Sequence, residues 1–163
     1  MQERHSISGY PAGETIKEDL KMAINILLVD DEIPFLETMT RRLVKRDFIT
    51  ASATSGHEAV RLLEKNDDIE VVVLDVKMPE MDGLQTLKII RQKFPLVEVV
   101  MLTGHATIES AIEGMKLGAF DYLMKPCDME DLLSKVREAA MKKRRQKEKI
   151  VEAQLKEITM RRV

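Results

Sequence analysis

The stretch NILLVDD, Asn25 to Asp31, sets four apolar residues in a row, Ile26 to Val29, and then stops at two carboxylates. Consecutive apolar residues without alternation describe a strand covered on both faces, as in a parallel sheet. A second stretch, VVVLDVKMPEMDG from Val71 to Gly83, repeats the design, with Val71 to Leu74 ending at Asp75. After the first run, Pro34 suits the first turn of a helix, and Phe35, Leu36, Met39, Leu43 and Val44 follow at helical spacing.

Working outward, the alternation continues. Phe48 to Ser52 reads as a strand, and Ser55 caps a helix bearing Ala59, Val60, Leu62 and Leu63. After Pro79 and Gly83, Leu84, Leu87, Ile89 and Ile90 mark a helix that stops before Pro95. Val97 to Leu102 is a strand ending at Thr103-Gly104. A helix with Ile108, Ala111, Ile112 and Met115 follows and closes near Gly118. Phe120 to Met124 is the last strand, ending at Lys125-Pro126, a candidate cis peptide. The last helix begins near Asp128 with Met129, Leu132, Leu133 and Val136. Five strand–helix units predict an α/β fold, a five-stranded parallel sheet doubly wound in the order 2-1-3-4-5.

The 163 residues suffice for one domain and a short appendage. With 44% hydrophobic and 33% charged residues the chain reads as globular, and its apolar runs are too short to span a membrane. No secretion signal is read at either end, so the expected compartment is the cytoplasm. The single cysteine, Cys127, rules out an internal disulfide and a cysteine-rich zinc site. The net charge of −2 conceals an asymmetry. Residues 137–163 carry ten Lys or Arg against four Glu, whereas the rest holds sixteen basic and twenty-four acidic side chains. Three parts are expected: a flexible tail over 1–22, a domain over 23–141, and a basic helical extension over 142–163. Met22 offers an alternative translation start to Met1.

Ligand sites in doubly wound sheets lie at the carboxyl ends of the strands. That rule gathers Asp30, Asp31, Asp75, Thr103 and Lys125 at one edge. Clustered carboxylates repel one another unless a cation sits among them. An oxygen-only set favours Mg²⁺, and a hydroxyl and an ammonium beside it suit phosphoryl oxygens. The acids either hold a metal for a bound phosphate ligand, or one of them is itself the nucleophile.

The run Val29-Asp30-Asp31-Glu32, then DVKMPEMDG from Asp75, LTGHAT from Leu102 and the Lys125-Pro126 pair resemble the receiver domain of bacterial two-component response regulators. The resemblance covers about Ile24 to Met141. It implies a flavodoxin-like fold and Asp75 as acceptor of a phosphoryl group from a histidine kinase or phosphotransfer protein. It further implies that Asp31, Asp75 and the backbone carbonyl of Lys77 ligate Mg²⁺, with Asp30 acting mostly through a water. Thr103 would then bond the phosphoryl group, Lys125 would pair with it, and Tyr122 would be the aromatic switch of a face formed by the fourth helix, fifth strand and fifth helix. The segment GAFDYLMKP is similar to receivers of nitrogen-regulator-type transcription activators.

Plainer readings stand beside these. An Asp-Asp pair after a strand also serves as a helix cap, and MPEMDG also serves as a turn. Tyr122 reads equally as packing. Lys77 and His105 are candidates for tuning dephosphorylation, or simply solvated loop residues; His5 and His57 are expected at the surface. An alternative function is a Mg²⁺-dependent phosphohydrolase with a transient aspartyl phosphate, though Lys77 stands where a general acid would be needed. A nucleotide-binding module would need a Gly-rich phosphate loop, which the sequence lacks. The run KKRRQKEK, 142–149, invites nucleic acid, but no aromatic is interleaved and the segment is too short for a helix-turn-helix. Val136, Ala140, Ile150, Leu155 and Ile158 instead form an apolar stripe, broken at Lys143 and Lys147, that suits a linker or dimerising helix. Homodimerisation is expected through that helix or the switch face, in a stand-alone regulator or the N-terminal part of a longer one.

Overall fold

A computed structural model describes residues 22–161. The expected tail, save Met22, lies outside the described residues, and His5 with it. The chain runs β1 (Asn25–Val29), α1 (Ile33–Val44), β2 (Ile49–Ala53), α2 (Gly56–Lys65), β3 (Val71–Leu74), α3 (Gly83–Lys93), β4 (Glu98–Thr103), α4 (Ile108–Lys116), β5 (Asp121–Met124) and α5 (Met129–Arg161). All neighbouring strands are parallel, and the sheet order is β2-β1-β3-β4-β5.

The uninterrupted apolar strands divide their side chains between two cores. Ile26, Leu28, Val71, Val73, Val100 and Leu102 face α1 and α5. Leu27, Val29, Val72, Leu74, Val99 and Met101 face the other way, against Ala59 and Leu63 of α2 and Leu87 and Ile90 of α3. Burying a Leu or Ile of this kind stabilises by roughly 1.5–3 kcal/mol, so each face of the sheet depends on the helices that cover it.

Strand limits differ from the sequence reading by about one residue. β2 starts after Phe48, whose amide bonds the Leu43 carbonyl at the end of a turn in which Asp47 takes φ 67°. β4 excludes Val97, whose amide is taken by the Phe94 carbonyl, and includes Thr103. β5 excludes Phe120.

Local chemistry sets the helix starts. Ser55 accepts from the Glu58 amide at 3.1 Å. Asp82 with Gln85, and Thr107 with Ser110, make reciprocal capping boxes on α3 and α4. Gly83 has a further demand on it, because a Cβ there would stand 2.0 Å from the Asp75 carbonyl oxygen. Only glycine lets α3 begin against the end of β3.

Two helices show what apolar spacing leaves open. The apolar residues of α4 point outward, with Ile108 76% and Ile112 51% exposed, and among its residues Gly114 alone is buried. The helix spacing was legible, but the spacing of a stripe does not say what covers it. α5 runs 33 residues without a break, so the last helix of the domain continues into the basic extension as expected. Of the apolar stripe, Val136 and Ala140 are buried in the domain, whereas Ile150, Leu155 and Ile158 are exposed.

The basic run begins by folding back. Lys142 Nζ lies 3.4 Å from Glu98 Oε2, and Glu98, the first residue of β4, is fully buried. Arg91 Nη1 of α3 approaches the other Glu98 oxygen at 3.8 Å. Arg144 donates to both oxygens of buried Glu70, at 2.6 and 3.0 Å, and to the Ala23 carbonyl. Lys143, expected to break the stripe, is buried against the base of the sheet, and burial lowers its pKa below the ordinary lysine value. Buried carboxylates are costly without partners, so the base of the sheet binds α5 past residue 141.

Gly83→Ala should lower the unfolding free energy by about 1–3 kcal/mol or more by overpacking against backbone. Gly104→Ala, whose nearest neighbour would be 4.0 Å away, should be near neutral; urea denaturation compares them. Arg144→Met should cost about 3 kcal/mol, because it strands the Glu70 carboxylate with one amide donor, Asn25. The same variant should speed amide exchange in α5 beyond Met141.

Candidate functional site

β1 and β3 lie side by side in the middle of the sheet, with Val29 paired to Leu74, so the residues that follow them emerge together. Asp30, Asp31 and Asp75 each place a carboxylate oxygen within 4.8 Å of the others. Asp30 and Asp75 are buried, at 2% and 3% exposure, while Asp31 faces solvent. A mixed set of this kind leaves an open side, through which an oxygen-seeking cation keeps some of its waters.

The two Asp30 oxygens are engaged. Oδ1 accepts from the Glu32 amide at 2.9 Å, and Oδ2 accepts from Lys125 Nζ at 2.6 Å. Asp75 Oδ1 accepts from the Val76 amide at 2.9 Å. Burial lifts the Asp30 carboxyl above its ordinary pKa, the Lys125 and Glu32 bonds oppose that rise, and the neighbouring Asp75 adds to it. For Lys125, burial acts to lower the value, but the bonds and charges of Asp30, Asp75 and Glu32 outweigh it and hold the ammonium above the ordinary lysine value. One ammonium thus faces several carboxylates, and a divalent cation fits the charge that remains. Those donors are all hard oxygens, which suits Mg²⁺.

Lys125 reaches the site because β5 ends beside β4, with Met124 paired to Thr103, and because the Lys125 amide bonds the Thr103 carbonyl at 2.9 Å. The Lys125-Pro126 peptide is cis. Thr103 is fully buried and its Oγ1 accepts from the His105 amide at 3.0 Å, which leaves the hydroxyl proton available.

Tyr122 pairs with Met101 in register and sits half-buried. Its hydroxyl is 2.7 Å from Ser110 Oγ on α4, and its ring lies against Gly114. The side chains of Lys77 and His105 are exposed, and no hydrogen bond or ion pair joins them to the carboxylates among the described residues. His57 is exposed.

Three contributors had no assigned role in the sequence reading. Glu32 Oε1 lies 3.3 Å from Lys125 Nζ, Phe35 places its ring 3.8 Å below the same ammonium, and Ser110 holds Tyr122. Glu32 was visible as the third acid of a run. Phe35 looked like one more apolar residue of α1, and nothing in the spacing separates it from the core positions.

Residues 26–137 match the family described as the response regulator receiver domain. The regulatory protein AtoC of Escherichia coli (strain K12) is 39% identical over 113 residues, which are 68% of this chain and 24% of AtoC. The DNA-binding transcriptional regulator NtrC of Proteus hauseri is 30% identical over 124 residues, 76% of this chain and 26% of NtrC. The chain therefore spans about a quarter of the length of these curated relatives.

A response regulator receiver domain protein from Clostridium thermocellum superposes with a TM-score of 0.71 at 35% identity, covering 74% of this chain and 97% of that one. NtrX from Brucella abortus, 29% identical, superposes with a TM-score of 0.71 over 78% of this chain and 29% of its own. With its sheet order, its paired acids after β1, the single acid after β3 and the lysine after β5, this chain belongs to the response regulator receiver domain family.

Proposed function

We propose that the chain accepts a phosphoryl group on Asp75 from a histidine kinase or phosphotransfer protein and passes the change to the face formed by α4, β5 and α5. The observation that carries this reading is the convergence of three carboxylates within 4.8 Å of one another with a lysine ammonium 2.6 Å from one of them. In the transfer, an Asp75 carboxylate oxygen forms a bond to phosphorus as the P–N bond of a phosphohistidine breaks. The bonding pair leaves with the imidazole, which takes up a proton. Reversal toward rest needs water to attack the acyl phosphate and release inorganic phosphate.

Asp30, Asp31, Asp75 and the Lys77 backbone carbonyl would hold Mg²⁺, Asp30 mostly through a water. When bound, the ion offsets the repulsion between the carboxylate and the incoming phosphate. Lys125 pairs with the phosphoryl oxygens and the Thr103 hydroxyl donates to them. The added charge of about −1.5 to −2 draws on Thr103, and the Tyr122 ring, held by Ser110, changes its packing against α4. This is a shift between two arrangements of one switch. Lys77 and His105, exposed on the two flanking loops, meter the attacking water.

The functional division is a receiver over 23–141 and an extension over 142–163 that serves as linker or dimer helix, either stand-alone or within a longer cytoplasmic regulator. Exposed Ile150, Val151, Leu155 and Ile158 suit association with a second copy. The engagement of Lys142 and Arg144 by Glu98 and Glu70 argues against a nucleic-acid role for that run. No helix among the described residues is long and apolar enough to cross a membrane.

Incubation with Mg²⁺ and acetyl phosphate should give one phosphoryl adduct by intact mass, labile to hydroxylamine and absent in Asp75→Asn. Rapid multiple turnover of a phosphomonoester would instead establish a phosphohydrolase. By sedimentation, the full chain should form a dimer that truncation after Lys149 abolishes, and monomers in both would refute the helix as a dimer element.

A further inference from the structure

We infer that Phe35 is a positioning residue whose ring face carries the Lys125 ammonium and keeps it beside the acidic cluster. This rests on the reading of Lys125 as the partner of the phosphoryl group and names what holds that partner in place.

A lysine ends in a compact, strongly hydrated cation on a flexible four-carbon stem, and left alone it samples many rotamers in water. Lys125 does not, for its side chain is only 15% exposed. Three groups reach its Nζ: Asp30 Oδ2 at 2.6 Å, Glu32 Oε1 at 3.3 Å, and the Phe35 ring centroid at 3.8 Å. The first two are compromised as anchors. Asp30 belongs to the candidate metal site, so its lone pairs are shared with any cation and its waters. Glu32 is 64% exposed, and an exposed carboxylate is screened by salt and contributes little.

Phe35 has neither weakness. It does not titrate and does not ligate metal, and from the first turn of α1 it packs against the core. An aromatic face attracts a cation through its quadrupole, more strongly as water is excluded. An aliphatic side chain of similar size would remove the same water and return nothing to the charge. The ring therefore gives the ammonium a floor that persists when Asp30 changes partners. Pro34 fixes the start of α1, and Leu36, Met39 and Leu43 turn one face of that helix into the core. Phe35 is left at the rim of that face, where the end of β5 delivers Lys125.

The test uses the full chain as wild type, Phe35→Leu and Phe35→Tyr. Proton–carbon NMR should show an upfield ring-current shift of the Lys125 ε-methylene in wild type and Phe35→Tyr, lost in Phe35→Leu. Binding of beryllofluoride with Mg²⁺, a phosphoryl mimic, should weaken roughly two- to fivefold in Phe35→Leu and be restored in Phe35→Tyr. A purely structural role would lower the melting temperature of Phe35→Leu without moving either readout, and that result overturns the inference. Wild type that binds no beryllofluoride would overturn the phosphoryl reading itself, whereas equal binding by wild type and Phe35→Leu would overturn the role of Phe35 alone.

Discussion

Three carboxylates held within 4.8 Å of one another, two of them out of water, are the constraint on which the rest of this domain depends. Mutual repulsion and lost hydration both work against such a cluster. The fold answers with one ammonium, delivered from 95 positions along the chain to 2.6 Å from Asp30, and with the amides of Glu32 and Val76. One lysine does not balance three acids. The remaining negative charge is of the kind a divalent cation would offset. The acids come from just past the ends of β1 and β3 and the lysine from just past the end of β5, so three of the five strands converge on this cluster.

The opposite edge of the sheet carries the same problem and solves it internally. Glu70 and Glu98 begin their strands' side of the base as buried acids, and the partners come from α3 and α5 of the same chain. Arg144 satisfies Glu70 with a two-pronged contact, the geometry for which a guanidinium is suited. Glu98 has no hydrogen bond to its carboxylate oxygens and relies on Lys142 and Arg91 by charge alone. The acidic edge thus stays open to an external cation while the base closes on the helix. A long helix leaves the domain in a direction fixed by these ion pairs.

Much of this was legible from residues alone. Short, β-branched-rich, unalternating runs such as Ile26 to Val29 point to a strand buried on both sides, and the acid, threonine or lysine at which each run stops marks the strand end. Asp30, Asp31, Asp75, Thr103 and Lys125 follow from that rule by their order in the chain alone. Element limits slipped by a residue where a turn competed for an amide, as at Phe48 and Val97. The outward face of α4 was not legible, because periodicity reports that a stripe exists and not whether another element covers it. Phe35 was likewise hidden, since an apolar residue one position off a helix's core face has the same local pattern whether it meets solvent, leucine or an ammonium.

The basic run at 142–149 separates the two sources most clearly. The amino-acid order determined the strand–helix alternation, the class of fold and the acids, hydroxyl and lysine of the site, because short-range patterns dictate local structure and strand ends converge by topology. It could not assign the charge of Lys142, Lys143 and Arg144, which read as part of a linker or dimerising helix or as an invitation to nucleic acid. Only the tertiary structure brought Glu70, 74 positions away from Arg144, to 2.6 Å from its guanidinium and set buried Glu98 beside Lys142. Electrostatic pairing depends on distance through space, and distance across a sheet is decided when the chain has folded.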